Sequence, residues 1–176
     1  MYMQTHVITS SEIVQKRIQV DNKGDSAQLM PDIINFKSVV FGDIGVEADK
    51  IITFSCGLLG FPDMKRFIVM EYEKDIPFMC LQAVDEPCIA FIVIDPVLAN
   101  KDYHIAVKEK EVAALGEPDS ENLIVFVIVS ISKDTPSKAT ANLRAPLIVN
   151  LSSRTGRQIV LDDEDLSIKY PLFKSR

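Results

Sequence analysis

The chain has 176 residues, of which 47% are apolar, so it carries the material for one sizeable core and fits a single domain better than two. Its formal net charge of -6 argues against a sequence-independent grip on nucleic acid, which depends on Lys and Arg meeting phosphates. The same balance favours basic or apolar partners.

The first 35 residues read differently from the rest. Residues 10–20 suit one marginal amphipathic helix and residues 21–26 have the composition of a polar linker, so 1–35 is expected to be a loosely ordered N-terminal extension. Residues 1–13 lack the charged region and apolar run of a signal peptide. The most apolar stretch, 123–131, is about half of the roughly 20 residues a helix needs to cross a bilayer. A cytoplasmic protein is the expectation.

From Phe36 onward, short β-branched and aromatic runs alternate with Gly, Pro, Asn and Asp. They predict strands at 51–54, 67–71, 78–84, 89–94, 104–107, 123–132, 139–143, 147–151 and 158–161. Separators include Cys56-Gly57, Asp85-Glu86-Pro87, Asp95-Pro96, Asp134-Thr135-Pro136 and Thr155-Gly156, and the spacings at Gly42–Gly45 and Gly57–Gly60 also read as turns. One helix is predicted over 108–115, ended by Gly116 and Pro118. The runs 89–94 and 123–129 are apolar at nearly every position, as strands covered on both faces are. Phe54, Phe67, Phe78, Phe91 and Phe126 are the aromatic core candidates. The fold class expected is all-β: a small closed or partly open antiparallel β-barrel-like domain over 36–172 with one or two short helices, followed by a tail at 173–176.

The inventory for catalysis is thin. Of the two histidines, His6 lies in the extension and His104 in a strand-like run, too few for a metal cluster. The three cysteines, Cys56, Cys80 and Cys88, have no C-x-x-C spacing and sit among apolar neighbours, which predicts buried free thiols and neither a disulfide framework nor a zinc site. No nucleophile elbow, phosphate-binding loop or dinucleotide fingerprint occurs. Asp63 and Lys65 have the spacing of a nuclease acid–lysine pair without further carboxylates, and Asp162-Asp163-Glu164-Asp165 lacks the alternating ligands and glycine of a calcium loop; both read as solvated turns. Neither catalysis nor a cofactor is expected.

Phe54-Ser-Cys-Gly-Leu-Leu-Gly-Phe-Pro-Asp-Met-Lys-Arg-Phe67 resembles the signature F-x-x-G-L-x-G-F-x-x-x-x-x-F of the flagellar assembly factor FliW family. The resemblance continues through Pro77–Pro87, Ala90–Pro96, Thr140–Asn150, Gly156–Leu161 and Tyr170–Leu172, in the family's order and spacing. It implies a β-barrel that binds proteins: flagellin, the filament subunit, and in exchange the translational regulator CsrA, so that flagellin level controls flagellin translation. No direct nucleic acid, membrane or small-molecule substrate is expected.

Strand-end loops carry function more often than strand centres. The partner-binding candidates are therefore Phe61, Pro62 and Asp63; Asp95, Pro96, Val97 and Leu98; and Arg144 and Pro146, all expected to be exposed. Two rival readings stand beside this one. A small-molecule-binding β-barrel would hold its ligand in the barrel mouth. An RNA-binding barrel would need a basic groove and stacking aromatics that the sequence does not supply.

Overall fold

A computed structural model describes residues 2–4, 32–116 and 122–173. The predicted helix at 10–20, the linker at 21–26, His6, Pro118 and residues 174–176 lie outside the described residues. In chain order the strands are β1 (Tyr2–Gln4), β2 (Ile33–Ser38), β3 (Gly42–Glu47), β4 (Ile52–Phe54), β5 (Arg66–Glu71), β6 (Phe78–Ala83) and β7 (Ala90–Ile94). They continue with β8 (Ala106–Lys108), β9 (Leu123–Ser130), β10 (Thr140–Ala141), β11 (Leu147–Asn150), β12 (Thr155–Gln158) and β13 (Tyr170–Pro171). Among the described residues the two short helices are α1 (Pro96–Ala99) and α2 (Glu109–Ala113). Among the described residues, no helix is long and apolar enough to cross a membrane.

Seven strands close into a barrel in the order β4-β5-β6-β7-β9-β11-β12, with β12 returning to β4. A ring with an odd number of strands cannot alternate direction all the way round, so one neighbouring pair must run parallel. That pair is β12 with β4, in the register Thr155↔Thr53 and Gly156↔Phe54, while the other barrel pairings are antiparallel. The expected antiparallel barrel is thus closed by one parallel seam. Beyond β9, strands β10 and β13 extend the sheet outside the ring.

Period-two alternation sorts the barrel residues into an interior and an outer layer. Ile52 and Phe54, Phe67 and Val69, Met79, Leu81 and Ala83, Val93, Phe126, and Leu147 and Val149 form the interior cluster, with Leu58 closing one end. On β9 the intervening Val125, Val127 and Val129 point outward. They are covered there by Tyr103, Ile105, Val107, Val112 and Leu115 from the segment that carries β8 and α2. This is why 123–129 is apolar at every position: one face fills the barrel and the other receives a second layer.

The outer face of β5 is covered differently. Strands β2 and β3 form a hairpin whose Ile34, Phe36 and Val46 pack over Ile51, Ile68, Met70 and Val84. Sequence reading placed Gly42–Gly45 in a turn, but they run into β3, because the turn sits earlier at Val39–Phe41. The strand predicted at 158–161 also shifts, to Thr155–Gln158. Gly156 is the one residue small enough to let the Phe54 ring lie against β12, so the parallel seam forms there. Residues 159–161 still run alongside the chain, with Ile159 N–H donating to Pro146 O (3.0 Å) and Leu161 N–H to Arg144 O (2.9 Å).

Phe54, Phe67 and Phe126 are buried, and Phe78 and Phe91 are partly buried against the core. The cysteines depart from expectation: Cys80 is buried, but Cys56 and Cys88 are exposed. Both exposed thiols sit in connections between strands, where apolar sequence neighbours do not decide which way a side chain faces.

Candidate functional site

Two of the three predicted loop clusters meet at one end of the barrel. The first is the connection between β4 and β5. Gly57 N–H donates to Phe54 O (2.8 Å), and Leu58 and Phe61 then exchange backbone bonds (3.2 and 2.8 Å) around a tight turn at Leu59-Gly60. Gly57 has a φ of +67°, and a Cβ there would lie 2.4 Å from Phe61 O, so both backbone sign and space demand glycine. Lys65 Nζ donates to Ser55 O (2.6 Å) and staples the two ends of the connection. Leu58 plugs the barrel, and the Phe61 ring stands edge-on to Phe91 with centroids 5.1 Å apart. What remains on the surface is Leu59, 58% exposed, with Gly60, Pro62 and Asp63.

The second cluster is the turn before β11. The Asn142 side-chain carbonyl accepts from Arg144 N–H (3.2 Å) and Ala145 N–H (3.1 Å), an Asx turn that holds Leu143, Ala145 and Pro146 buried and leaves Arg144 half-buried. Gln158, at the end of β12, joins the two clusters. Its carbonyl accepts from Leu59 N–H (2.8 Å) and its amide donates to Ala145 O (3.2 Å). Sequence reasoning did not single out Gln158, because a polar residue at a strand end carries no signal until its partners are known.

The third cluster lies at the opposite end. Asp95 caps α1, accepting from Val97 N–H (2.9 Å), with Pro96 at the first helical position. Burial raises the pKa of this carboxyl, and the bond from Val97 only partly offsets that. Val97 packs on the core, and Leu98 is 53% exposed.

The candidates therefore divide. Pro62, Asp63 and Leu98 are exposed, while Phe61, Asp95, Val97 and Arg144 are half-buried. Pro96 and Pro146 are buried, contrary to the exposure expected of them: each follows a capping turn that presses its ring inward, so they shape the loops from beneath. His104 is exposed, with Nδ1 2.7 Å from the backbone carbonyl of Asp102. Asp162 bonds Lys108 Nζ at 2.7 Å, which holds its carboxyl below the usual range, and the other acids of that turn are solvated. Among the described residues, no three His, Cys, Asp or Glu side chains cluster as a metal site would require.

The barrel interior is filled. A small space of about 10 Å³, at the limit for one water molecule, lies where Ile52, Val69, Phe126 and Val149 meet Lys50, Ile68 and Arg154. A larger cleft of about 220 Å³ lies outside the barrel, between β8 and the segment after β12.

The family model "FliW protein" matches residues 35–172. The flagellar assembly factor FliW of Natranaerobius thermophilus is 40% identical over 136 residues, covering 77% of this chain and 90% of that protein. The one from Thermoanaerobacter pseudethanolicus is 39% identical, covering 80% and 93%. A crystal structure of the flagellar assembly factor FliW superposes with a TM-score of 0.71 at 30% identity, over 80% of this chain and 97% of that one. With the signature loop, the closed barrel and these matches in agreement, the chain belongs to the FliW family of flagellar assembly factors.

Proposed function

We propose that this protein is a non-enzymatic, cytoplasmic binding protein that holds flagellin in a chaperone-like complex and exchanges it for the translational regulator CsrA, relieving CsrA repression of flagellin translation. The observation that carries the reading is the joined surface at one barrel end. Gln158 ties the signature loop to the Asn142 turn, leaving apolar Leu59 and Pro62 beside charged Asp63 and Arg144. An apolar centre with a charged rim suits a protein partner, in the manner of an amphipathic helix laid on a surface. The apolar side chains packed inside the barrel weigh against a ligand-binding barrel.

The net charge of -6 supports a second element of the proposal: docked beside CsrA, the acidic chain opposes RNA phosphates electrostatically. Inhibition of RNA binding should then weaken as salt rises toward the range where the Debye length falls below about 8 Å.

The deciding experiment is size-exclusion co-elution with the flagellin of the same cell, repeated with its CsrA added. A flagellin complex that exchanges with CsrA supports the reading. Failure to bind either protein rules it out. Leu59→Asp and Arg144→Glu should weaken the flagellin complex by about tenfold or more if this end is the docking face, since hot-spot residues cluster at the centre of an interface.

A further inference from the structure

Residues 2–4 form a strand far from the rest of the sequence they join. β1 pairs antiparallel with β8 in the register Tyr2↔Lys108, Met3↔Val107 and Gln4↔Ala106. The family match begins at residue 35, so β1 lies outside the part this chain shares with the family. Among the described strands β8 pairs with β1 alone. β1 therefore covers an edge of β8 along Ala106–Lys108.

That edge borders the 220 Å³ cleft. Ile105, Val107, Ile159 and Leu161 give the cleft an apolar base, and Lys108–Asp162 (2.7 Å) and Arg157–Glu111 (2.8 Å) ion pairs tie its surroundings together. Among the described residues, Glu111, Asp162 and Asp163 line the cleft, and exposed Glu109, Glu164 and Asp165 adjoin these segments in sequence. The neighbourhood is apolar below and acidic at the rim.

We propose that the β8 edge is a strand-addition site for an extended segment of a protein partner, apolar at alternate positions and basic toward the rim. Residues 2–4 are its resident occupant in cis, which the partner must displace. The proposal rests on reading the chain as a binding protein. Strand addition draws its affinity from backbone bonds and its specificity from alternate side chains entering a cleft, which is the arrangement present here. Uncovered edges are also an aggregation hazard, which a cis strand removes. A pairing of three residues, closed over about a hundred residues of chain, is marginal enough to be displaced. The apparent affinity of a partner then falls with the fraction of molecules whose edge is covered.

The test uses the whole chain and its Met3→Pro variant, which removes a backbone donor from β1 and leaves the barrel strands unaltered. Hydrogen exchange at those of the Ala106–Lys108 amides that point toward β1 should quicken about tenfold or more in the variant; unchanged protection overturns the proposal. A synthetic peptide of residues 1–8, labelled for anisotropy, should bind the variant about tenfold more tightly than the unaltered chain. Equal binding to both, or binding to neither, overturns it. Flagellin and CsrA are then titrated against both proteins. Tighter binding of one of them to the variant identifies the partner that enters the edge, whereas equal affinities sink the competition and leave the proposed function standing. If neither partner binds either protein, the proposed function fails, and the exchange and peptide results decide the strand-addition site alone.

Discussion

Gly156 and Phe54 face each other across the parallel seam, and the contact is close: a Cβ on Gly156 would lie 2.4 Å from Phe54 Cζ. The ring is fully buried, so it cannot swing into solvent to make room. Gly156→Ala should cost about 1–3 kcal/mol through overpacking. Combining it with Phe54→Leu should recover part of that loss, measured as a double-mutant cycle in urea; strictly additive losses would show that the two residues do not share the space. The thiols provide a second residue-scale check. Burial pushes the Cys80 thiol up to about 11, while Cys56 and Cys88 are exposed. A thiol reagent should therefore label two cysteines in the native protein and the third only on unfolding. Rapid labelling of all three would contradict the position of Cys80 in β6.

The β2–β3 hairpin is held to the barrel by an apolar layer and by one buried polar anchor. Ser38 Oγ donates to the Gln82 carbonyl at 2.7 Å, and the Gln82 amide donates to the carbonyls of Ala83, Pro87 and Ile89 at 2.9, 3.2 and 3.0 Å. Gln82 is fully buried, so truncating it strands the Ser38 hydroxyl. Gln82→Ala should cost about 1–3 kcal/mol and lower Tm by about 2–4 °C for each kcal/mol lost. Amides of β2 should lose exchange protection more than those of β9; equal loss in both would mean that Gln82 supports the whole fold and not the hairpin. Helix α1 carries a pH signature of its own. Because burial raises the Asp95 pKa, the protonated carboxyl is favoured in the fold. The linked stability is complete below the unfolded value near 3.9 and is lost as pH rises through the raised folded value. Asp95→Asn keeps a capping oxygen and should flatten that part of the Tm–pH curve; an unchanged curve would exclude Asp95 as its source.

At the scale of the molecule, the barrel is closed unevenly. Strands β5 and β6 pair over five residues, from Phe67↔Ala83 to Glu71↔Met79, and β9 pairs with β11 over four, whereas β4 is held by two registered pairs on each side, to β5 and to β12, with an added bond from Thr53 N–H to Arg154 O at 2.8 Å. Opening should begin where the fewest contacts must break. Native-state hydrogen exchange should find β4 and β12 amides released by smaller openings than those at the centres of β6 and β9. Uniform protection around the ring would show that the barrel opens only as one unit.

The alternation of apolar runs and turn residues placed most barrel strands within a residue or two, and the doubly apolar 123–129 run correctly announced a strand buried on both faces. The signature from Phe54 to Phe67 was legible because its glycines answer to local backbone geometry and its aromatics to burial, and neither needs distant partners. The β2–β3 hairpin was not legible: with Asn35, Lys37, Asp43 and Glu47 among its residues, its strand character depends on the β5 face it covers. The exposure of Cys56 and Cys88, the burial of Pro96 and Pro146, and the bridging role of Gln158 were decided only when chain segments far apart in sequence came together. Local pattern determined which residues become strands and where they turn. The closed ring determined which side chains it leaves for a partner, because which face is covered depends on neighbours supplied by the rest of the chain.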